Sequence, residues 1–587
     1  MKHGGTSRAG RGPTTRRRDG RWRGLRASIV AVSALALIAG CAQIPTSSAV
    51  KEVGPISEQD NDLGQVDFLP SGPQTGATQD EILKGFIQAA VSPQGDYSVA
   101  RDFLTTGFAT RWNPDASVTV DTGSDRDYRT LGADQKQLTM TPVAFVDADG
   151  SYRRAETSTA IEQEYTFVKQ KGQWRISKAP NGVIIDSSRF TNVFAPHSLY
   201  FFSPDLAYLV PDERWFPNSP ASLQTRIAKE LVGGPAKWLD GAYVTAFPQG
   251  SQLTSDSVTV SDGVADVDLN TTAGAVDALT LSRMQLQLSE SLASVAGISD
   301  VRISIAGVQR PVQTAVDPAP IQNPSVDSNA LVSRNGKFGL LSGSSVSEIP
   351  GVSTKVEALS PRAVTLSADH RAAAVLAAGA SWLVSADTDD PKKFDARHGV
   401  VAPTLDPSGY AWSGSADAPT DLVVAAPGGT TSTLNAAWPD ARSLAGIAMS
   451  RDGTRLAALV RTDSGTDIMV AGVVRNAGGK PQSVSTPVDL GPVSAGAATS
   501  LTWLDDLTVA ALSTTSTGNS SIDLQTVGGE SEIEQGPGSG ASIGPVGASP
   551  YYWVLTSAGS LQWPRGTGWQ QRIDDVQLLG QQLGKPD

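Results

Sequence analysis

Cysteine and histidine, the residues that most often mark metal and nucleophile chemistry, are almost missing from this chain. Cys41 is the only cysteine in 587 residues, which excludes an intrachain disulfide and a multi-thiolate metal centre. The four histidines are His3, His197, His370 and His398; they show no HxxxH or comparable ligand spacing, so the last three are read as surface or turn residues. No Gly-Lys-Ser/Thr phosphate loop occurs. Gly540-Ala541-Ser542-Ile543-Gly544 spells a nucleophile elbow, but that motif needs a strand before it and a helix after. Here Gly536-Pro537-Gly538-Ser539 precedes and Pro545 follows, so the stretch reads as a connecting loop. Acidic pairs and hydroxyls remain, with nothing to activate a nucleophile. The chain is therefore expected to work without catalysis, cofactor or metal.

Positive charge is scarce too, once its position is considered. Residues 1–40 hold nine Lys/Arg against one Asp, so the remainder carries −20 where the whole chain carries −12. A body this acidic argues against nucleic acid or anionic lipid as a partner. The basic stretch that includes Arg16-Arg17-Arg18 runs into an uncharged segment, 27–40, too short to span a bilayer. The segment ends in Ile38-Ala39-Gly40-Cys41, which resembles the lipobox of bacterial lipoproteins. That resemblance implies cleavage before Cys41, a diacylglycerol on its sulfur and a lipid anchor on the extracytoplasmic face of the cell membrane. Asp19 and Gly20 follow the arginines where a twin-arginine signal has apolar residues, which favours general secretion.

Residues 1–40 are thus read as a lipoprotein signal peptide and 41–76, rich in Ser, Pro, Gly and Asp, as a flexible tether. Thr78-Gln79-Asp80-Glu81 is a capping box, and Ile82, Leu83, Phe86, Ile87 and Ala90 share the face of the helix behind it. A second helix is expected over 98–108. Period-two strands follow around Val118-Val120, Val143-Phe145, Glu164-Val168, Trp174-Ile176 and Val183-Ile185. Two helices on a curved antiparallel sheet resemble an NTF2-like domain, placed at 77–190. Asp147-Ala148-Asp149-Gly150 lacks the other ligands of a calcium loop and reads as a tight turn.

The next unit, 191–315, opens with the strand Leu199-Tyr200-Phe201-Phe202 and a helix carrying Leu223, Ile227 and Leu231, stopped by Gly233-Gly234-Pro235. Asp262-Gly263-Val264-Ala265-Asp266-Val267-Asp268-Leu269-Asn270, a helix striped by Leu281, Met284, Leu288 and Leu292, and Val301-Arg302-Ile303-Ser304-Ile305 complete it. This order resembles a GerMN domain, a small α+β module. Asp266 and Asp268 share one strand face with Asn270, read as a solvated row and not as an acid/base pair. A linker at 316–328, stiffened by Pro318, Pro320 and Pro324, leads to an all-β region at 329–587.

That last region repeats. Ser367-Ala368-Asp369-His370, Asp406-Pro407-Ser408-Gly409 and Ser450-Arg451-Asp452-Gly453 are polar turns that each feed an apolar strand, and their starts lie 39 and 44 residues apart. Weaker echoes stand at Trp503-Leu504-Asp505-Asp506 and Tyr552-Trp553. One four-stranded blade per repeat gives a propeller of about six blades.

Lipobox, NTF2-like unit, GerMN module and propeller, in that order, resemble the LpqB lipoprotein family of high-GC Gram-positive bacteria. The resemblance implies binding to the extracellular domain of a sensor histidine kinase of the MtrB kind, and a role in cell-envelope homeostasis and division. The alternative is a lipoprotein that binds envelope glycan or a small ligand, for which Trp112 and Trp174 could stack on a sugar; both are more readily core residues.

Overall fold

The computed structural model describes residues 70–155, 159–219, 222–255, 257–274, 276–312, 315–494, 496–547 and 551–584. The signal segment, Cys41 and the tether as far as residue 69 lie outside them. Among the described residues, the tether already touches the fold, for the Gly76 amide donates to Gln173 Oε1 at 2.7 Å.

In the N-terminal module the capping box forms as expected. The Glu81 amide donates to the Thr78 hydroxyl at 3.3 Å, the Glu81 carboxylate accepts from the Thr78 amide at 2.7 Å, and the helix Gln79–Ala89 follows. Its face of Ile82, Leu83, Phe86 and Ile87 packs on Trp112, Tyr165, Phe167 and Ile176. The second helix is shorter than predicted. Within Gln94–Arg101 the residues Gly95, Asp96 and Tyr97 are left-handed, with φ of +57°, +56° and +58°, so the α-helical part begins at Ser98 as expected but ends at Arg101, and Thr106–Ala109 forms a separate turn of helix. Between them the Thr105 amide donates to the Ile176 carbonyl at 2.8 Å, so a bond to the sheet replaces a helical one. The single antiparallel sheet expected from alternation is two sheets of four strands. In one of them Ser117–Asp121 pairs antiparallel with Pro142–Asp147 and parallel with Val183–Asp186. Asp147–Gly150 is a tight turn, closed by the Gly150 amide on the Asp147 carbonyl at 2.9 Å.

The middle module has two layers. Helices Leu223–Gly233 and Ala278–Leu292 bury Ile227, Leu231, Met284, Leu288 and Leu292 against Val267 and Ile303 of a four-stranded sheet. Val264–Leu269 and Asp300–Ile305 run parallel there, with the second helix as their crossover. Phe194–Phe202 instead pairs with Leu209–Pro217 as a long hairpin. That second strand escapes pattern reading because it carries buried charge: Arg214 donates to Asp212 at 2.6 Å, both within the core.

The C-terminal region is a propeller of six blades, each a sheet of four or five strands. Blades 3 to 6 are contiguous, at 404–435, 443–492, 497–535 and 540–573, and blade 2, at 363–395, gains a fifth strand from Gln581–Gln582, parallel to Ala363–Leu366. Blade 1 is assembled from both ends: Val576–Leu579 supplies the strand beside Leu331–Arg334, which pairs onward to Lys337–Ser342. Blade 6 thereby meets blade 1, and the ring closes without free inner edges.

The repeated turns link the first two strands of a blade and share one hydrogen-bond pattern. Ser367 Oγ accepts the Ala372 amide at 2.9 Å and Ser450 Oγ the Arg455 amide at 3.0 Å. In the third copy Asp406 stands in the serine's place, and its carboxylate accepts from the Tyr410 amide at 3.0 Å, one residue earlier than in the other two. Gly453 must be glycine: its φ is +74°, and a Cβ there would lie 2.6 Å from Pro407 of the neighbouring turn.

Gly540-Ala541-Ser542-Ile543-Gly544 is not the expected loop. It is the inner strand Gly540–Pro545 of blade 6. Its glycines serve crowding and not turning, since a Cβ on Gly544 would stand 3.2 Å from the Gly580 carbonyl. Nor is the linker a free spacer, because Ile321 exchanges backbone hydrogen bonds with Ala207 and Leu209 at 2.9 Å each.

Candidate functional site

Three places in the described fold bring chemistry-bearing side chains together: the junction of propeller and middle module, the propeller channel, and a cleft between the N-terminal and middle modules.

At the junction the turn of blade 4 sits under the middle module. Asp452 and Arg455 are both fully inside and pair at 2.8 Å. The Arg455 guanidinium lies 5.9 Å from the Tyr243 ring centroid and 5.0 Å from that of Trp503. Burial opposes the Asp452 charge, but Arg455 and the Thr454 hydroxyl and amide outweigh it and hold the carboxyl below its ordinary range. Asp506, in the next turn, accepts the Asn323 amide of the linker at 2.8 Å with one oxygen, and its other oxygen is buried without a hydrogen-bond partner. Burial, and then the Asp452 charge, push its pKa up to about 7. Arg451 donates to the Pro324 carbonyl at 3.0 Å and to that of Leu504, tying linker and blades together. Burial lowers its pKa to about 10. Asp406 accepts from Trp412 at 3.0 Å and from Arg475 at 2.7 Å. Apart from the unpartnered Asp506 oxygen, these charges are engaged by protein groups, and the cluster joins propeller, linker and middle module.

The channel, about 310 Å3, is lined by inner-strand residues that include Thr365, Thr404, Ser500 and Thr502. These hydroxyls are committed to stitching blades: Thr365 donates to the Pro403 carbonyl at 3.0 Å, and Ser500 accepts the Ile543 amide at 3.2 Å. Gln581 of the C-terminal tail accepts from Thr502 and donates to the Ile543 carbonyl, each at 2.6 Å.

The cleft is larger, about 1180 Å3. The Asp115 loop of the N-terminal module forms one wall, and helix Leu223–Gly233 with residues 247–253, Thr245, Ser255 and Ser257 the other. Arg226 reaches across it to Asp115 at 2.9 Å. Glu230, partly buried there, is raised above its ordinary pKa by burial.

The residues singled out from sequence do not converge. Asp266 pairs with Arg302 at 2.9 Å, and Asp268 accepts the Gly307 amide at 2.9 Å, so both brace the sheet. His197 meets Ser294 at 3.0 Å on the middle module, and burial lowers its pKa. His398, almost wholly exposed, is bonded to Asp417, which raises its pKa. His370 sits in a blade turn with φ +59°. Trp112 is buried 5.1 Å from Phe86, and Trp174 is half-buried beneath Lys169, so neither offers an open sugar platform. Among the described residues no group of three or more His, Cys, Asp or Glu is arranged to hold a metal. Sequence reading missed the junction cluster, although the Arg451-Asp452-Gly453 turn that supplies half of it was the clearest repeat.

Family models match three consecutive parts of the chain. The N-terminal domain of lipoprotein LpqB matches residues 72–191, a domain described as sporulation and spore germination matches 198–310, and the LpqB β-propeller domain matches 329–577. The chain belongs to the LpqB lipoprotein family. LpqB lipoproteins of Bifidobacterium longum and Rhodococcus jostii are 29% and 27% identical, over 74% and 73% of this chain and 75% and 76% of their own lengths. That of Cutibacterium acnes is 30% identical over 47% of this chain. The alignment spans about half of that relative, 46% of its length. Solved structures resemble this LpqB-family chain only distantly. A nidogen/laminin complex chain scores a TM-score of 0.30 at 11% identity over 44% of this chain and 97% of its own length. A putative TolB from Agrobacterium tumefaciens scores 0.28 at 14%, over 43% and 89%. None of the three matched models is described as an enzyme. Among the described residues no helix is long and apolar enough to cross a membrane.

Proposed function

We propose that this LpqB-family chain is held by lipid on Cys41 at the extracytoplasmic face of the cell membrane. There it binds the extracellular domain of a sensor histidine kinase of the MtrB kind and modulates signalling in envelope homeostasis and division. Family membership and the Ile38-Ala39-Gly40-Cys41 motif support the anchor. The observation that carries a binding role over a catalytic one is the junction itself. Asp452 and Arg455 pair inside the propeller beneath Tyr243 of the middle module, while Arg451 and Asp506 bond the linker backbone, so these buried titratable groups serve the joining of modules. What remains exposed is a broad, pre-organised surface suited to a protein partner. A photoreactive residue placed in turn in the exposed loops of the middle module and propeller of the living cell tests this. A crosslink to the kinase sensor domain is the expected product, and capture of glycan alone, or of nothing, sinks the reading.

A further inference from the structure

We propose that the cleft between the N-terminal and middle modules binds a neutral, hydroxyl-rich oligosaccharide, with the Ser251 hydroxyl among its hydrogen-bond partners. The proposal does not rest on kinase binding, and either can fail without the other.

The cleft has the position and, at about 1180 Å3, the size of an inter-module site for a ligand of several sugar units. Ser251 lines it. The residue is 7% exposed and its Oγ is buried with no hydrogen-bond partner, an arrangement that folded proteins rarely leave uncompensated. Its neighbours along the wall include Gln249, Gln252, Ser255 and Ser257, uncharged side chains that can both donate and accept. That is the complement of a polyol.

Charge decides against a polyion. Five charged residues line the cleft, Asp115, Asp147, Arg226, Lys229 and Glu230. Arg226 is taken up by Asp115 at 2.9 Å, Asp147 by Arg153 at 3.3 Å, and Lys229 and Glu230 are adjacent groups of opposite sign that act on each other electrostatically. No excess of one sign is left to attract phosphate, sulfate or a basic peptide. Apolar anchoring is missing as well. Among the described residues the exposed large hydrophobics, such as Val308, Ile533, Tyr551 and Trp563, all lie outside the cleft, and the aromatic residues in its walls, Tyr97, Phe194, Trp215, Phe216 and Phe247, are buried. A protein partner needs exposed anchors of that kind, whereas a sugar chain is held chiefly by hydrogen bonds to fixed groups.

The test uses the full-length lipoprotein in a sugar-free zwitterionic detergent, titrated calorimetrically with chitotetraose, maltotetraose and cellotetraose, and with a sulfated tetrasaccharide as anionic control. Saturable binding of at least one neutral probe is expected. Ser251→Ala should weaken it about fivefold through loss of one hydrogen bond. The same variant should keep or raise the unfolding midpoint, because the hydroxyl it removes is unpaired in the free protein. Gln252→Trp, at the exposed rim, should block binding with the midpoint unchanged. Failure of all neutral probes, preference for the sulfated one, or unaltered affinity in both variants overturns the proposal.

Discussion

Arg455 of the fourth blade and Tyr243 of the middle module meet with the guanidinium 5.9 Å from the ring centroid, both side chains closed off from solvent. A charge is tolerated there only because Asp452 lies 2.8 Å away.

Replacing Arg455 by methionine therefore leaves Asp452 in the interior without its counter-ion. A loss of about 3–5 kcal/mol is expected in urea unfolding. The double variant Arg455→Met, Asp452→Asn should recover a large part of it, because it removes the stranded charge; equal losses in single and double variants would contradict the account.

Asp506 gives the junction a pH dependence. Its folded pKa, about 7, stands above the ordinary carboxylate value of 3.8, so between these values the folded chain keeps a proton that the unfolded chain has released. Its contribution is complete below about pH 4, declines by at most about 1.4 kcal/mol per unit as pH rises, and is gone above about 7. Asp506→Asn should flatten this decline. Unfolding midpoints of both proteins from pH 4 to 8 measure it, and parallel curves would refute the assignment.

The ring depends on its last two strands, of which Gln581–Gln582 joins blade 2 beside Ala363–Leu366. Val576–Leu579 pairs with Leu331–Arg334, and Leu583 packs beside Ala374 and Leu405. Ending the chain at residue 574 should open blade 1 and expose inner strands. Rapid limited proteolysis within 329–574 is expected, with the N-terminal and middle modules surviving longer; a resistant propeller would show that closure lies elsewhere.

Anchoring is the simplest to check. Cys41→Ser should abolish labelling by a fatty-acid probe and release the protein from the membrane fraction. Persistent labelling would move the attachment to another residue.

Much of this was legible in the sequence. The capping box at Thr78, the heptad-like stripe through Met284 and Leu288, and the turns at 367, 406 and 450 are local signals, fixed by backbone hydrogen bonds within a few residues. They determined the modules, their order and the blade repeat. The single cysteine, read with its flanks, determined the expectation of a lipid anchor. Tertiary structure decided what depends on partners distant in the chain. It made Gly540–Pro545 an inner strand, because glycine there answers crowding from Gly580, a demand no local window contains. It placed Leu209–Pro217 in a sheet despite its charges, because Asp212 neutralises Arg214 inside. It also brought Asp452, Arg455, Asp506 and Tyr243 together from two modules, and it alone opened the cleft beside Ser251. Periodicity reports which face of an element is buried, whereas the identity of what covers that face is a property of the assembled fold.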